Sequence, residues 1–562
     1  VLHSLRSSCA FVFTVGASCI GGYASAQTTH RASLDSSDGE GDGASRETVL
    51  SPRGKLVVFS SDATNLVPKD GNGVSDVFVR DPDAGTTERV SVDSSGVEGG
   101  GASALHSSQC ISADGRFVVF VSSAANLVAF DSNNKTDVFL HDRRSGNTKR
   151  VSVDSAGLQA NSDSDAPAIS SDGRFVAFQS DATNLVAGDG NGASDVFVRD
   201  LQNGTTERVS VDSGGVGANH GSFHPSLSSD GAFVAFDSVA TNLDAADTQN
   251  TRPDVYLRDR SAGTTVLLSK EIGGVVGDGD STHPYVSADA SFVAFESVAT
   301  NLVKDDKNGC SDVFVLSRGA GVQVRVSVDS TGAEANGDSF GAVLSAGGGI
   351  VAFSSDATDL VAGDTNGGTD AFVRVSSTGE TLRVSVDSAG QQAKLGGVAH
   401  SLSANGLFCG FDSDSSDLVV PDQNGFGDAF VHETYERASW SNYGSGFPGT
   451  FGAPTLSLRK LPRFGAYITL DVTSSSGATA AGWLFCGFQS TDLPTHFGGH
   501  LLVSFLWIQP VVIGPSGSAF PATIPTDFVW AGTDVFVQAV EFDAGAAHGL
   551  SFTDGLELTI GQ

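Results

Sequence analysis

Between Pro52 and Phe430 one pattern of apolar and polar positions returns seven times. In its clearest copy Phe175-Val176-Ala177-Phe178 is apolar throughout, which predicts a short strand buried on both faces. Ser171-Asp172-Gly173-Arg174 precedes it and carries the Asp-Gly signal of a tight hairpin turn. Ala182-Thr183-Asn184-Leu185-Val186 follows, then Asp195-Val196-Phe197-Val198-Arg199-Asp200, then Thr206-Glu207-Arg208-Val209-Ser210-Val211-Asp212. Each unit therefore predicts four strands, here Ala166 to Ser170, Phe175 to Ser180, Asp195 to Asp200 and Thr205 to Asp212. A long loop from Asp181 to Ser194 joins the second and third. No stretch has helical periodicity of useful length. The last Phe of the second strand falls at Phe59, Phe120, Phe178, Phe236, Phe295, Phe353 and Phe411, with gaps of 61, 58, 58, 59, 58 and 58 residues. A fixed period marks one supersecondary module that buries its apolar face against its neighbours.

Four antiparallel strands repeated in this way predict a β-propeller of seven blades, with a solenoid as the structural alternative. The ends of the repeat favour a closed ring. The seventh unit supplies three strands, at Ser401 to Ala404, Phe408 to Ser413 and Asp428 to His432. Near the N-terminus, Arg31-Ala32-Ser33-Leu34-Asp35-Ser36 resembles the fourth strand of the other units, as in Arg89-Val90-Ser91-Val92-Asp93-Ser94. Such a strand would seal the ring and hide an exposed edge. Glu436 to Trp440 competes for the same place.

The recurring Ser-x-Asp-Gly-x-Phe-Val-Ala-Phe followed by Asp-Val-Phe-Val-Arg-Asp resembles the TolB-like, WD40-like β-propeller repeat of exported bacterial proteins. The resemblance spans roughly Ala32 to Val431. It implies a scaffold for binding other molecules without naming the partner. The units are longer than the usual ~40–45 residues per blade, and the excess lies in the long loop.

After Trp440 the repeat stops. Residues 441–454, rich in Gly, Ser and Pro, read as a linker. Residues 455–562 hold short apolar runs separated by turn residues and predict a small β-sandwich. Its aromatics, among them Trp483, Phe485, Phe505, Trp507, Phe528 and Trp530, read first as core, with a sugar-stacking platform as the sharper alternative. The fold class is thus all-β: a seven-bladed propeller over 27–440, a linker and a C-terminal sandwich.

The 562 residues carry a formal net charge of −33. A surface this acidic repels phosphate backbones, so nucleic acid is excluded as the expected partner. Residues 1–26 have the order of a secretory signal, with Arg6, an apolar run from Cys9 to Ile20, and Ala24-Ser25-Ala26. No later segment is long and apolar enough for a transmembrane helix. The expectation is a secreted, periplasmic or cell-surface protein without a transmembrane anchor. Cys110, Cys310, Cys409 and Cys486 form neither a C-x-x-C pair nor a visible disulfide framework.

The long loop ends in a recurring Asp-x-Asn-x-x-x-Asp. The copies are Asp70, Asn72 and Asp76; Asp131, Asn133 and Asp137; Asp189, Asn191 and Asp195; Asp306, Asn308 and Asp312; Asp364, Asn366 and Asp370; and Asp422, Asn424 and Asp428. The fourth unit departs, with Asp247, Gln249, Asn250 and a displaced Asp254. Alternating oxygen side chains beside Gly suit a hard cation, and calcium is the candidate cofactor; the bidentate Glu of an EF-hand is missing. The competing account is turn capping, because Asp and Asn bond their own backbone two residues on.

Motifs that look catalytic sit in the wrong context. Gly337-Asp338-Ser339-Phe340-Gly341 matches a nucleophile elbow but falls in an inter-blade crossover with no helix after it. Gly444-Ser445-Gly446-Phe447-Pro448-Gly449 is broken by proline. His224 and His283 align across units, each before a Pro, and either line a face or cap a turn. No unit holds an evident unique charged residue at the channel. The expected function is a non-catalytic binding or scaffold protein that uses its acidic long-loop face to hold an extracellular or envelope protein or a glycan, with calcium assisting. The alternative is a propeller enzyme, a polysaccharide lyase or glycosidase.

Overall fold

The computed structural model describes residues 28–247, 252–434 and 439–559, the last span without 444–446, 449, 452, 459–466, 489, 496–499, 505–506, 524–533 and 547–548. The expected signal segment, 1–26, lies outside the described residues. So do Phe505, Phe528, Trp530 and most of the 444–449 motif. The chain forms two compact units, Thr28–Thr434 and Tyr435–Gln562. Among the described residues there is no helix.

The first unit holds seven four-stranded antiparallel sheets. In the third blade the strands run Ser164–Ile169, Phe175–Ser180, Asp195–Asp200 and Thr205–Arg208, from the channel outward. The innermost strand starts two residues before the expected Ala166. The outer strand stops at Arg208 instead of Asp212 because Ser210 leaves the ladder: its Oγ donates to Asp195 at 2.6 Å and accepts the Val196 N–H at 3.1 Å. The chain then turns into the crossover, where the Asp212 N–H meets Val216 O at 2.8 Å.

The second and third strands carry the core. Phe178 faces Phe197 across the sheet with ring centroids 5.8 Å apart, and the pair recurs as Phe59–Phe78, Phe120–Phe139, Phe236–Tyr256, Phe295–Phe314, Phe353–Phe372 and Phe411–Phe430. Truncating one such buried ring costs about 3–5 kcal/mol, so one Phe per blade at a fixed spacing is strongly specified. The Asp-Gly turn has two reasons for glycine. Gly173 sits at φ +74°, and a Cβ there would lie 2.2 Å from Phe117 of the preceding blade.

The ring closes through the N-terminal segment. Thr29–Arg31 pairs antiparallel with Asp428–Glu433, placing Thr29 opposite His432 and Arg31 opposite Phe430. The paired residues lie upstream of most of Arg31–Ser36, and Leu34 bridges to Glu40 as Val92 does to Glu98 in the first blade. The seventh blade then meets the first: the Leu50 N–H donates to Ser401 Oγ at 3.0 Å and the Ala404 N–H to Pro52 O at 2.7 Å.

The C-terminal unit has two principal sheets. The larger takes Ser439–Tyr443, Gly555–Thr559, Asp534–Phe542, Ala480–Gly487 and Trp507–Ile513 in that order, with Leu550–Phe552 added on Asp534–Phe542. The smaller takes Leu456–Leu458, Tyr467–Val472 and Ser518–Thr523. Leu456, Ile468 and Leu470 of one pack with Leu484, Val537 and Leu556 of the other in a single buried core, so the unit is a β-sandwich. The span 441–454 differs from a plain linker. Its first residues complete a strand paired with Gly555–Thr559, and Phe447 bridges to Phe552. That pairing also places the competing segment near Trp440 in the sandwich.

Candidate functional site

The Asp-x-Asn loops are organised around arginine. In the first blade Arg89 from the outer strand reaches Asp70 at 3.1 Å, Asp76 at 3.0 Å and Glu98 at 2.9 Å. Arg150 joins Asp131 and Asp137 at 2.9 and 3.4 Å, and Arg208 joins Asp189 and Asp195 at 3.3 and 3.2 Å. Arg325 joins Asp306 and Asp312 at 3.2 and 3.0 Å, and Arg383 joins Asp364 and Asp370 at 3.3 and 3.7 Å. In the seventh blade Arg31 takes the part, 3.7 Å from Asp422 and 3.0 Å from Asp428.

The asparagines are committed as well. Asn72, Asn133, Asn191, Asn308 and Asn366 donate to Asp76, Asp137, Asp195, Asp312 and Asp370 at 2.7–3.2 Å, while Asn424 donates to Gly41 O at 2.8 Å. Each side-chain oxygen accepts the N–H two residues on, as the Asn72 Oδ1 does from Val74 at 3.0 Å and the Asn424 Oδ1 from Phe426 at 2.8 Å.

The carboxylates of Asp70, Asp76 and Glu98 approach within 4.8 Å of one another, the spacing a metal would need. The Arg89 guanidinium already pairs with all three. A divalent cation would have to displace an arginine in each of these six loops, and the asparagine oxygens are spent on Asx turns. The donor sets therefore fit arginine better than calcium. Burial raises Asp70 and Asp306, and it pushes Asp189 and Asp428 up to about 6 despite their arginines. The arginine was visible in the sequence: it follows the last Asp by thirteen residues in five units, from Asp76 to Arg89 through Asp370 to Arg383.

The wider chemistry lies at the channel. Six of the seven innermost strands are bulged near their start, and the bulge residues Glu47, Ala166, His224, His283 and Gly341 have left-handed backbone, as does His106 just after the short strand Ser103–Ala104 of the second blade, with φ between 47° and 67°. For a side-chain-bearing residue this costs on the order of 1 kcal/mol. The bulge turns an N–H toward the neighbouring blade, where a side chain accepts it. Gln179 takes that of His224 at 2.9 Å, Asp237 that of His283 at 3.2 Å, Glu296 that of Gly341 at 2.8 Å and Asp412 that of Glu47 at 2.6 Å. Ser354 takes the Ala399 N–H at 2.9 Å, and Glu47 itself takes that of His106 at 3.1 Å.

The bulges aim four histidines at a cavity of about 270 Å³, also lined by Glu47, Gln109, Tyr285 and Glu296. Side-chain exposures of 46% for His106, 39% for His224, 52% for His283 and 29% for His400 leave them open to solvent. His106 meets Asp165 at 2.7 Å, His224 meets Asp237 at 2.8 Å and His400 meets Asp412 at 2.7 Å. His283 lies 3.7 Å from Glu296 and stacks on His224.

These contacts separate the proton affinities. The Asp165 hydrogen bond raises His106. Burial opposes charge on His224 and His400, yet Asp237 and Asp412 raise both. Burial and the adjacent His224 lower His283. Burial pushes the Glu296 carboxyl up to about 7.

The channel narrows below the histidines. Gln109 crosses from the second blade to the fourth, accepting the Leu227 N–H at 2.7 Å and donating to Leu227 O at 3.1 Å. Gln109 and Tyr285 line both the upper cavity and a smaller one of about 90 Å³ beneath. At the Asp-Gly end the strands approach until their backbones bond blade to blade, from Ala113 to Ser171, Ser171 to Ser229 and Ser229 to Ala288, each at 2.9 Å. The open end is thus the one shared with the crossovers and long loops.

Sequence reasoning missed this break in symmetry. Its signals were the residue after each periodic Phe, which is Asp237, Glu296 and Asp412 in three units, and the gap of 61 residues that inserts Gln109. Ser339 is corrected too. It opens the innermost strand Ser339–Leu344, is fully buried, and shares a hydrogen bond with Ser355 at 2.9 Å.

Four-stranded antiparallel blades closed around a channel decide the fold. The first unit is a β-propeller of seven four-stranded blades. No family model matches the chain, and no curated protein matches it. Solved structures similar to the propeller chain include TolB from Acinetobacter baumannii, 14% identical, with 84% of this chain and 83% of that chain covered and a TM-score of 0.33. The RRP9 WD40 repeats are 9% identical over 73% of this chain and 99% of that chain, with a TM-score of 0.34. An ancestral GH74 enzyme is 9% identical over 95% of this chain and 64% of that chain, with a TM-score of 0.35.

Proposed function

We propose that the chain is an exported binding protein that holds a protein or glycan partner on its long-loop face, with the histidine-lined channel mouth as the recognition site. One observation carries this reading: the channel presents an open cavity with four histidines and two half-buried carboxylates, Glu47 and Glu296, with Asp237 bonded to His224, on a scaffold whose other walls repeat. Rigid scaffolds concentrate recognition on such loop-bearing ends. Export rests on the order of residues 1–26. A panel of glycans and envelope proteins immobilised against the purified chain tests it. The partner should lose at least tenfold affinity on His283→Ala, and equal binding by the variant removes the channel from the site.

A second reading is hydrolysis or lyase chemistry on an extracellular polysaccharide. What favours it is Glu296, held up at about 7 by burial, close to His283 and in the field of Asp237. Groups with separated proton affinities in one cleft suit an acid and a base. Turnover on a polysaccharide panel that disappears in Glu296→Gln would make this reading the correct one.

A further inference from the structure

Six blades clasp their outermost strand in the same way. In the third blade the Thr206 N–H donates at 2.9 Å to the hydroxyl of Ser155, which lies on the crossover from the second blade, and that hydroxyl donates to Thr206 O at 3.3 Å. The Thr206 hydroxyl donates to Val153 O of the same crossover at 2.6 Å and accepts from Arg199 of the third strand at 3.0 Å. Thr29, Thr87, Thr148, Thr265 and Thr381 are each held by a crossover serine and meet an Arg or His in the same manner. The serine satisfies the N–H and C=O that an outer strand turns away from its sheet. Left uncapped, such groups are a template for another strand.

The fifth blade lacks all three parts of the clasp. Ile272 stands in place of the serine, Gln323 in place of the threonine and Leu316 in place of the Arg or His. The strand register is unchanged, with Leu316 opposite Gln323 as Arg199 is opposite Thr206. The Gln323 N–H and C=O therefore also point away from the sheet, and among the described residues no side chain caps them. The Gln323 side chain makes a poor substitute: its Nε2 donates to Leu302 O at 3.4 Å, and its buried Oε1 has no hydrogen-bond partner. Ile272 is 71% exposed, so it stands beside this edge and does not lie over it.

The outward side chains change as well. The residue after the threonine is charged in the first three blades, as Glu88, Lys149 and Glu207, and a charge there guards an exposed edge. In the fifth blade it is Val324, 47% exposed, with Val322 on the same face at 44%. The fourth and sixth blades carry Val266 and Leu382 at that position but keep the serine–threonine clasp. Among the seven outer strands, the fifth is thus both unclasped and without an outward charge. Apolar side chains flank it on both sides, Val322 and Val324 on one and Ile272 on the other.

We propose that the edge Val322–Arg325 takes an extended segment of a partner protein as an added outer strand. Backbone bonds to Gln323 would hold the segment, and β-branched side chains at alternate positions would pack on Val322, Val324 and Ile272. The formal charge of −33 repels a second copy of this chain and favours a segment flanked by Lys or Arg. The site is on the outermost strand and does not depend on recognition at the channel mouth.

A labelled heptapeptide of alternating valine and threonine with a lysine at each end is the probe, titrated with the full-length chain by fluorescence anisotropy. The expected result is saturable binding of one peptide per chain, weakened about tenfold or more when the peptide backbone is N-methylated and cannot donate. Ile272→Ser combined with Gln323→Thr rebuilds the serine–threonine pair and should weaken binding to the same degree while the thermal midpoint holds or rises. Val324→Lys, the residue type of Lys149, should weaken it without touching the clasp, and it decides alone if the double variant does not fold. No binding of the unmethylated peptide, equal binding of the methylated one, or binding unchanged in Val324→Lys would each overturn the proposal. A concentration-dependent dimer that Val324→Lys disperses would overturn it too, by giving the edge to a second copy of the chain.

Discussion

The imidazole ring of His224 lies 3.9 Å from that of His283, centroid to centroid, with 29° between their planes. Two imidazolium ions at this separation repel, so the pair accepts its first proton more readily than its second. Asp237 sits on the His224 side, which directs that first proton there. His224 is raised and His283 lowered. The signs for stability are opposite. The His224 contribution is full below its ordinary value and is lost as pH rises through its folded value; His283 subtracts stability as pH falls below its own ordinary value. Histidine NMR titration should show His224 protonating at the higher pH. In His224→Gln the His283 value should move up, and an unmoved His283 would show that the two rings do not interact.

Glu296 offers a second pH handle. Burial pushes its carboxyl from 4.5 up to about 7, against the pull of the Gly341 N–H and His224. The folded chain therefore favours the protonated form. Its contribution is full below about 4.5 and is lost as pH rises through about 7. Glu296→Gln keeps an acceptor for Gly341 and removes the charge. The variant should gain on the order of 1–3 kcal/mol at pH 8, and that gain should fade toward pH 5. Melts of both proteins across this range check it; a pH-independent difference contradicts the assigned burial penalty.

The repeat was legible because burial of one Phe pair per blade leaves a sharp mark at fixed spacing. The strand ends were not, because Ser210 and its equivalents trade ladder bonds for side-chain bonds to Asp195 and its equivalents. The loop motif was legible as a pattern and ambiguous as chemistry. Asp189 and Asp195 read alike whether the cation between them is a metal or Arg208, and only the three-dimensional register brings Arg208 to them. The channel site was hidden for a different reason. Glu47, His106, His224 and His283 are unremarkable singly, and the bulge that lifts each into one ring has no composition of its own.

The arginine pairs should be strongly stabilising in the sense that breaking one leaves buried charge behind. Arg208→Leu strands Asp189 and Asp195, of which Asp195 is fully buried. The expected loss is about 3 kcal/mol or more in denaturant unfolding. The fourth blade suggests the remedy: Leu267 stands in place of the arginine, and the Tyr256 hydroxyl donates to Asp247 at 2.7 Å. Adding Phe197→Tyr to Arg208→Leu reproduces the Tyr256 and Leu267 combination and should recover part of the loss through a hydroxyl bond to Asp189. If the single variant unfolds like the parent chain, these pairs contribute nothing measurable; if the double variant is no better than the single, Tyr256 does not act as a substitute.

Closure gives the last prediction. The N-terminal strand is short: Thr29, His30 and Arg31 pair with the seventh blade, flanked by one backbone bond on each side, from the Glu433 N–H to Thr28 O at 2.9 Å and from the Ala32 N–H to Ala429 O at 2.7 Å. Three residues of ladder would hold a chain end weakly, and the side chains make up the difference. The Thr29 hydroxyl contacts His432 Nδ1 at 2.9 Å, and the Thr29 N–H donates to Ser388 Oγ of the sixth blade at 3.0 Å. Arg31, buried, pairs with Asp428 at 3.0 Å and with Glu40. Burial lowers His432 to about 4, so the imidazole next to Thr29 is neutral at physiological pH, and the cation that meets Asp422 and Asp428 is Arg31. Arg31→Ala should therefore cost about 3–5 kcal/mol, the price of leaving buried carboxylates unpaired, and it should open the Asp428–Glu433 edge. Hydrogen exchange should report that edge exchanging faster in the variant while the third blade stays protected. Uniform loss of protection across all blades would mean instead that the ring opens as a single cooperative unit and that the seventh blade is not its weak point.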